Sequence, residues 1–115
     1  MTIGQSSEQA LEGRLDGLRR KFVDRSVEQM MELQSLADGH EREFGPAQSA
    51  DVLTTVHRLS GSAGTFGFED LSDKAGALED AIRVSASPGL TLTLVREHLL
   101  GIWTELGKLQ RESAE

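Results

Sequence analysis

At 115 residues the chain is long enough for a single domain, spanning 1–115, with one modest core. It has no cysteine and a net charge of −7, which excludes a disulfide framework or thiolate metal site and argues against binding to nucleic acid. No apolar run reaches bilayer length and the N-terminus MTIGQSSEQ lacks a signal peptide's apolar stretch, so the expectation is a soluble, cytoplasmic domain with no membrane partner.

Hydrophobic residues make up 37% of the chain and aromatics only 4%, a lean composition suited to Leu-rich helices. The two prolines, Pro46 and Pro88, stand far apart, and the proline-free stretches between them suit helices because an interior proline removes a hydrogen bond and clashes with the preceding turn. Ser6 and Gln9 have capping-box spacing and are expected to open the first helix. Leu11, Leu15, Leu18 and Phe22 follow at helical intervals and form an apolar stripe. A second box, Ser26 and Gln29, is a place for the helix to restart or bend near Asp24, after which Met30, Leu33, Leu36 and Ala37 carry the apolar face to about Asp38. Gly39–Pro46 is polar, with glycine and proline, and reads as a loop.

The second helix is expected from about Ala47 to Ala63 or a little beyond, with a break marked by Gly64 and Gly67. A third, from about Glu69 to Val84, carries the stripe Leu71, Ala75, Leu78 and Ile82. Ser85–Leu90, with Pro88-Gly89, is a turn. The last helix takes Leu92, Val95, Leu99, Ile102, Leu106 and Leu109 to the C-terminus, with Trp103 beside them. Sustained period-two alternation is absent, so no sheet is expected. Helices of this length joined by short loops pack as an antiparallel bundle.

On a wheel of about 100° per residue the second helix has two faces. Val52, Thr55, Val56, Leu59, Ala63 and Phe66 form the core face, and His57 points almost directly away from it. Ala50, Leu53, Thr54, Ser60, Gly61 and Gly64 lie within about 60° of His57, which surrounds an exposed imidazole with mostly small residues. An interior helical glycine costs about 1 kcal/mol relative to alanine. Gly64 fits simple fraying before the Gly67 turn. Gly61 fits it less well, lying between the core residues Leu59 and Ala63, and is better explained by a surface that approaches His57 closely. Leu53 supports that reading as an apolar residue on the same face, where a partner can cover it.

The segment His57-Arg58-Leu59-Ser60-Gly61-Ser62-Ala63-Gly64-Thr65-Phe66-Gly67 resembles the signature of histidine-containing phosphotransfer (HPt) domains: His-x-Leu-Lys-Gly, small residues, and a glycine ten positions after the histidine. Leu71, Ala75, Leu78 and Glu79 fit that family's next helix. The resemblance implies an all-α fold, an antiparallel four-helix bundle with an additional N-terminal helix. It implies a phosphoryl group carried on His57 between the aspartates of receiver domains, in a phosphorelay fed by a (hybrid) sensor histidine kinase; nothing in this chain supplies an ATP-binding kinase domain. Glu79 matches the position where Gln or Glu accepts a hydrogen bond from the histidine and orients it. Leu53, Arg58, Ser60, Gly61 and Gly64 become the residues expected to meet the phosphoryl group or the docked partner.

Ser60 departs from the family pattern, which has lysine there; a hydroxyl can hydrogen-bond a phosphoryl oxygen without neutralising it. The long side chain of the adjacent Arg58 starts about 100° round the helix. Imidazole suits the task because its unperturbed pKa of about 6.5 leaves it largely neutral near pH 7. No metal site is expected in this chain; the magnesium of phosphoryl transfer is expected in the receiver partner. A continuous stripe on each helix makes a monomer the simplest expectation. The alternative is an HPt-like interaction module, weakened in transfer, that binds receivers as a sink or inhibitor. His40, in the polar loop, and His98, beside Glu97, lack ligand spacing and read as solvated side chains, as do the basic residues Arg14, Arg19, Arg20, Lys21 and Arg25 of the first helix.

Overall fold

A computed structural model describes residues 3–39, 43–44, 46–84 and 90–114. Four helices account for most of them: α1 over Ile3–Asp38, α2 over Pro46–Thr65, α3 over Glu69–Val84 and α4 over Leu92–Ala114. Contacts run in opposite directions along paired helices. His57 and Ser60 of α2 meet Glu79 and Ser72 of α3. Gln34 and Ala37 of α1 meet Trp103 and Arg96 of α4. The bundle is therefore antiparallel, with α2 packed chiefly on α3 and α1 on α4. No helix among the described residues is long and apolar enough to cross a membrane.

The α3 stripe reaches the core as expected, and so does the α4 stripe from Val95 to Leu106; Leu109 is half-buried against it, and the Leu92 side chain lies outside the described residues. Leu71, Ala75, Leu78 and Ile82 are buried, and so are Val95, Leu99, Ile102 and Leu106. Val52, Val56, Leu59 and Ala63 supply the core face of α2. Pro46 opens α2, where a missing N–H and a fixed φ cost nothing.

The structure departs from the sequence expectations at four points. A separate additional N-terminal helix does not occur among the described residues; its residues are the first turns of the continuous, 36-residue α1. That helix starts at Ile3, so Ser6 lies inside it, and it does not restart at Ser26, whose buried hydroxyl donates to the Phe22 carbonyl at 2.8 Å. The N-terminal part of its stripe misses the core: Leu11, Leu15 and Leu18 are 57%, 37% and 50% exposed. The chain also contains a minimal sheet, Glu43–Phe44 (β1) antiparallel to Leu90–Thr91 (β2), with Glu43 opposite Thr91 and Phe44 opposite Leu90. Strands of two residues are too short for alternation to register in a sequence. His40 and Pro88-Gly89 lie outside the described residues.

The turn between α2 and α3 fixes how the site is assembled. Gly67 has φ +81°, the left-handed region that suits glycine. Its N–H donates to the Gly64 carbonyl at 3.1 Å and the Phe68 N–H donates to the Ala63 carbonyl at 2.8 Å, the paired bonds of a Schellman ending. α2 thus runs to Thr65 without fraying at Gly61 or Gly64, and α3 folds back against it.

Candidate functional site

His57 stands in the interior of α2 with its side chain 67% exposed. Its Nδ1 lies 2.6 Å from Oε2 of Glu79, on the facing turn of α3, whose side chain is only 14% exposed. The same oxygen accepts a hydrogen bond from Nη2 of Arg83 at 2.8 Å, one turn further along α3. That guanidinium bond is the main influence holding the Glu79 carboxyl below its usual value of 4.5; burial pushes the other way, and His57 adds a smaller lowering. Glu79 is therefore a carboxylate at neutral pH and accepts only. Nδ1 of a neutral His57 must then carry the hydrogen, and Nε2 keeps its lone pair. Nε2 has no hydrogen-bond partner among the described residues.

A shallow groove of about 440 Å³ runs from the imidazole along α2, lined by His57, Arg58, Gly61, Ser62, Thr65 and Phe66. Arg58 is exposed beside it. A Cβ built at Gly61 would meet nothing within 4 Å, so packing of the fold does not require glycine there. Gly64 is exposed too, and a Cβ on it would touch only the Ser72 hydroxyl, at 3.6 Å.

Two sequence expectations meet a different geometry. Ser60 turns into the α2–α3 contact: its hydroxyl donates to the Ser72 carbonyl at 3.1 Å, and the Ser72 hydroxyl donates to the Ser60 carbonyl at 2.9 Å. A Cβ on Gly76 would sit 3.6 Å from Ser60 Oγ, so Ser60, Gly64, Ser72 and Gly76 form a seam of small residues between the helices. Ser60 thus holds the helix that carries Glu79, and its hydroxyl is already engaged. Leu53 is half-buried, with part of its side chain packed against the core. Arg83 escaped the sequence reading altogether, although its spacing four residues after Glu79 is the helical signal for a paired charge.

His98 is also better fixed than expected: it is half-buried, and its Nδ1 donates to the Leu94 carbonyl at 2.8 Å. Of the α1 cations, Arg19 ties its helix to the end of α2 through a 3.4 Å bond from Nε to the Phe66 carbonyl. The rings of Phe22 and Phe66 stack there at 5.0 Å.

A helical bundle that presents an exposed histidine, held from one side by a carboxylate of the neighbouring helix, has the architecture of a histidine phosphotransfer domain. The family described as Hpt domain matches residues 17–108, well over half the chain, and the chain belongs to that family. Its role is phosphotransfer in phosphorelay signalling, in which such domains interact with receiver domains and kinases. No curated protein and no solved structure matches the chain.

Proposed function

We propose that this protein is a phosphorelay intermediate in which His57 takes a phosphoryl group from a receiver aspartate and passes it to the aspartate of another receiver. The observation that carries this reading is the exposed imidazole whose Nδ1 is occupied by Glu79 at 2.6 Å, which leaves Nε2 as the nucleophile. In the forward step the Nε2–P bond forms as the P–O bond of the acyl phosphate breaks, and the bonding pair leaves with the receiver's carboxylate. The Nδ1 proton stays between ring and Glu79, whose negative charge offsets the positive charge of the phosphorylated ring. Onward transfer reverses these changes with a second receiver.

The transition state of such a transfer is loose, so positioning and charge screening dominate. The magnesium is supplied by the receiver beside its aspartate. On this side Arg58 is the cation that borders the groove beside His57. Gly61 and Gly64 keep the adjoining surface low enough for the receiver to approach, and the part of Leu53 left in solvent is covered by the docked receiver. The domain works as a cytoplasmic monomer downstream of a (hybrid) sensor histidine kinase.

His57→Gln is expected to abolish labelling by a phosphorylated receiver while the helical circular dichroism stays the same. Acid-labile phosphate persisting in that variant would overturn the assignment. A second reading rests on Ser60, whose hydroxyl is engaged by Ser72 where the family has a lysine. In that reading the domain binds receivers as a sink or inhibitor. Receiver binding by the parent protein without acquisition of acid-labile phosphate would decide for it.

A further inference from the structure

Glu79 is more enclosed than either of its partners: its side chain is 14% exposed, against 67% for His57 and 56% for Arg83. Both partners bond one oxygen, Oε2, from opposite sides of the carboxylate in chain order, His57 from α2 and Arg83 from the last turn of α3. A glutamate side chain has three rotatable bonds, and a single hydrogen bond from an exposed imidazole does not select one rotamer among them. The guanidinium bond adds the second fixed point. Arg83 itself is well placed for this, because a cation in the last turn of a helix is favoured by the exposed carbonyls there.

We propose that Arg83 is a positioning residue for phosphotransfer: it holds the Glu79 carboxylate in the orientation from which that carboxylate keeps the hydrogen on Nδ1 of His57 and leaves Nε2 to attack. The proposal rests on His57 being the phosphoryl acceptor. As a pair one turn apart on a helix whose arginine is largely in solvent, Arg83 and Glu79 add little to stability. What the pair supplies is the orientation of an acceptor whose own job is to orient the imidazole. The charged groups facing this row are Glu79 and Arg83 on α3 and, on α2, Arg58 in the adjoining groove. Arg58 makes no ion pair with a described residue, so Arg83 is the cation bonded to Glu79.

The test uses the full chain with Arg83→Met and Arg83→Lys. Nitrogen-15 spectra of the His57 ring report which nitrogen carries the hydrogen, and labelling is followed with phosphoramidate and with a phosphorylated receiver. Arg83→Met is expected to lower the share of the Nδ1–H form and to slow labelling by both donors about tenfold, the low end of what partners of a working imidazole are worth. Its melting temperature should match the parent's, and Arg83→Lys, which keeps a cation in reach, should restore most of the rate. Parent-like tautomer and rates in Arg83→Met would overturn the proposal. A loss confined to the receiver, with phosphoramidate labelling and tautomer unchanged, would overturn it too, because Arg83 would then be a docking residue. The tautomer measurement needs no phosphodonor, so failure here is distinguishable from failure of His57 as acceptor, which would leave the parent protein itself unlabelled.

Discussion

At Glu79 three titratable groups meet within hydrogen-bond distance, and the lowered carboxyl gives a pH dependence. The carboxyl is held below its usual 4.5, chiefly by the Arg83 guanidinium. A group with a lowered native pKa contributes stability that is fully present above its unfolded value and is lost as the pH falls through the native one. The Glu79 contribution is therefore intact at neutral pH and disappears from near 4.5 downward. Glu79→Gln should lower the neutral plateau of melting temperature slightly, because the contribution it removes is the one present there, and should flatten the fall in that acid window; an unchanged plateau and acid limb would show that the three groups are not coupled. For transfer, Glu79→Ala should be slower than Glu79→Gln, since the amide oxygen still accepts from Nδ1 while alanine offers nothing; the deficit of the alanine variant is expected to be at least about tenfold. The His57–Glu79 pair was legible in the sequence because a motif fixed both positions. Arg83 was not, because any exposed arginine four residues from a glutamate looks the same until the glutamate is known to face a histidine.

The helices themselves were the most legible part of the chain. α3 buries the apolar positions that period 3.6 selects, and α4 buries those from Val95 to Leu106, since an amphipathic helix between two neighbours has no other stable orientation. Ser60 shows where the wheel stops being sufficient. An angle of about 60° from His57 places a residue near the exposed face, but α3 approaches α2 from that flank through a seam of small residues. Whether the flank is solvent or a neighbour depends on the Gly67 turn, which a wheel does not contain. Gly61 lies on the open side of the same helix. Gly61→Ala meets no neighbour and should stabilise α2 by about 0.5–1 kcal/mol in thermal or denaturant melts. Gly61→Gln keeps good helix propensity while adding bulk beside the imidazole. Its melting temperature should equal or exceed the parent's, and phosphoramidate should still label His57. Receiver transfer should fall about a hundredfold, because a misplacement of about 1 Å at the reacting atoms is enough for that loss. Normal receiver transfer in a folded Gly61→Gln protein would remove the glycine from the docking face.

On the scale of the whole molecule the outline is set by α1, which at about 1.5 Å per residue is far longer than α2 or α3. The molecule extends 64 × 22 × 19 Å, and residues 8–16 are exposed all round the helix because no other described element folds back over them. Periodicity in the sequence locates an apolar stripe but not the partner that covers it, which is why Leu11, Leu15 and Leu18 read as core and stand in solvent. The real anchor of α1 begins with Phe22 and Val23 and continues through Met30, Leu33 and Ala37, against α4 and the α2–α3 turn. The family match also starts at residue 17, next to that boundary. Folding energy should follow burial and ignore the stripe. Leu15→Gln is expected to shift stability by no more than about 0.5 kcal/mol, the range of surface substitutions. Leu99→Ala removes a fully buried side chain and should cost about 2–5 kcal/mol. Deleting residues 1–14 should leave the melting temperature and His57 labelling close to the parent's, with helical dichroism reduced only by the missing turns. Urea melts of the three proteins provide the comparison, and a Leu15→Gln cost approaching that of Leu99→Ala would place the N-terminal turns of α1 inside the cooperative core.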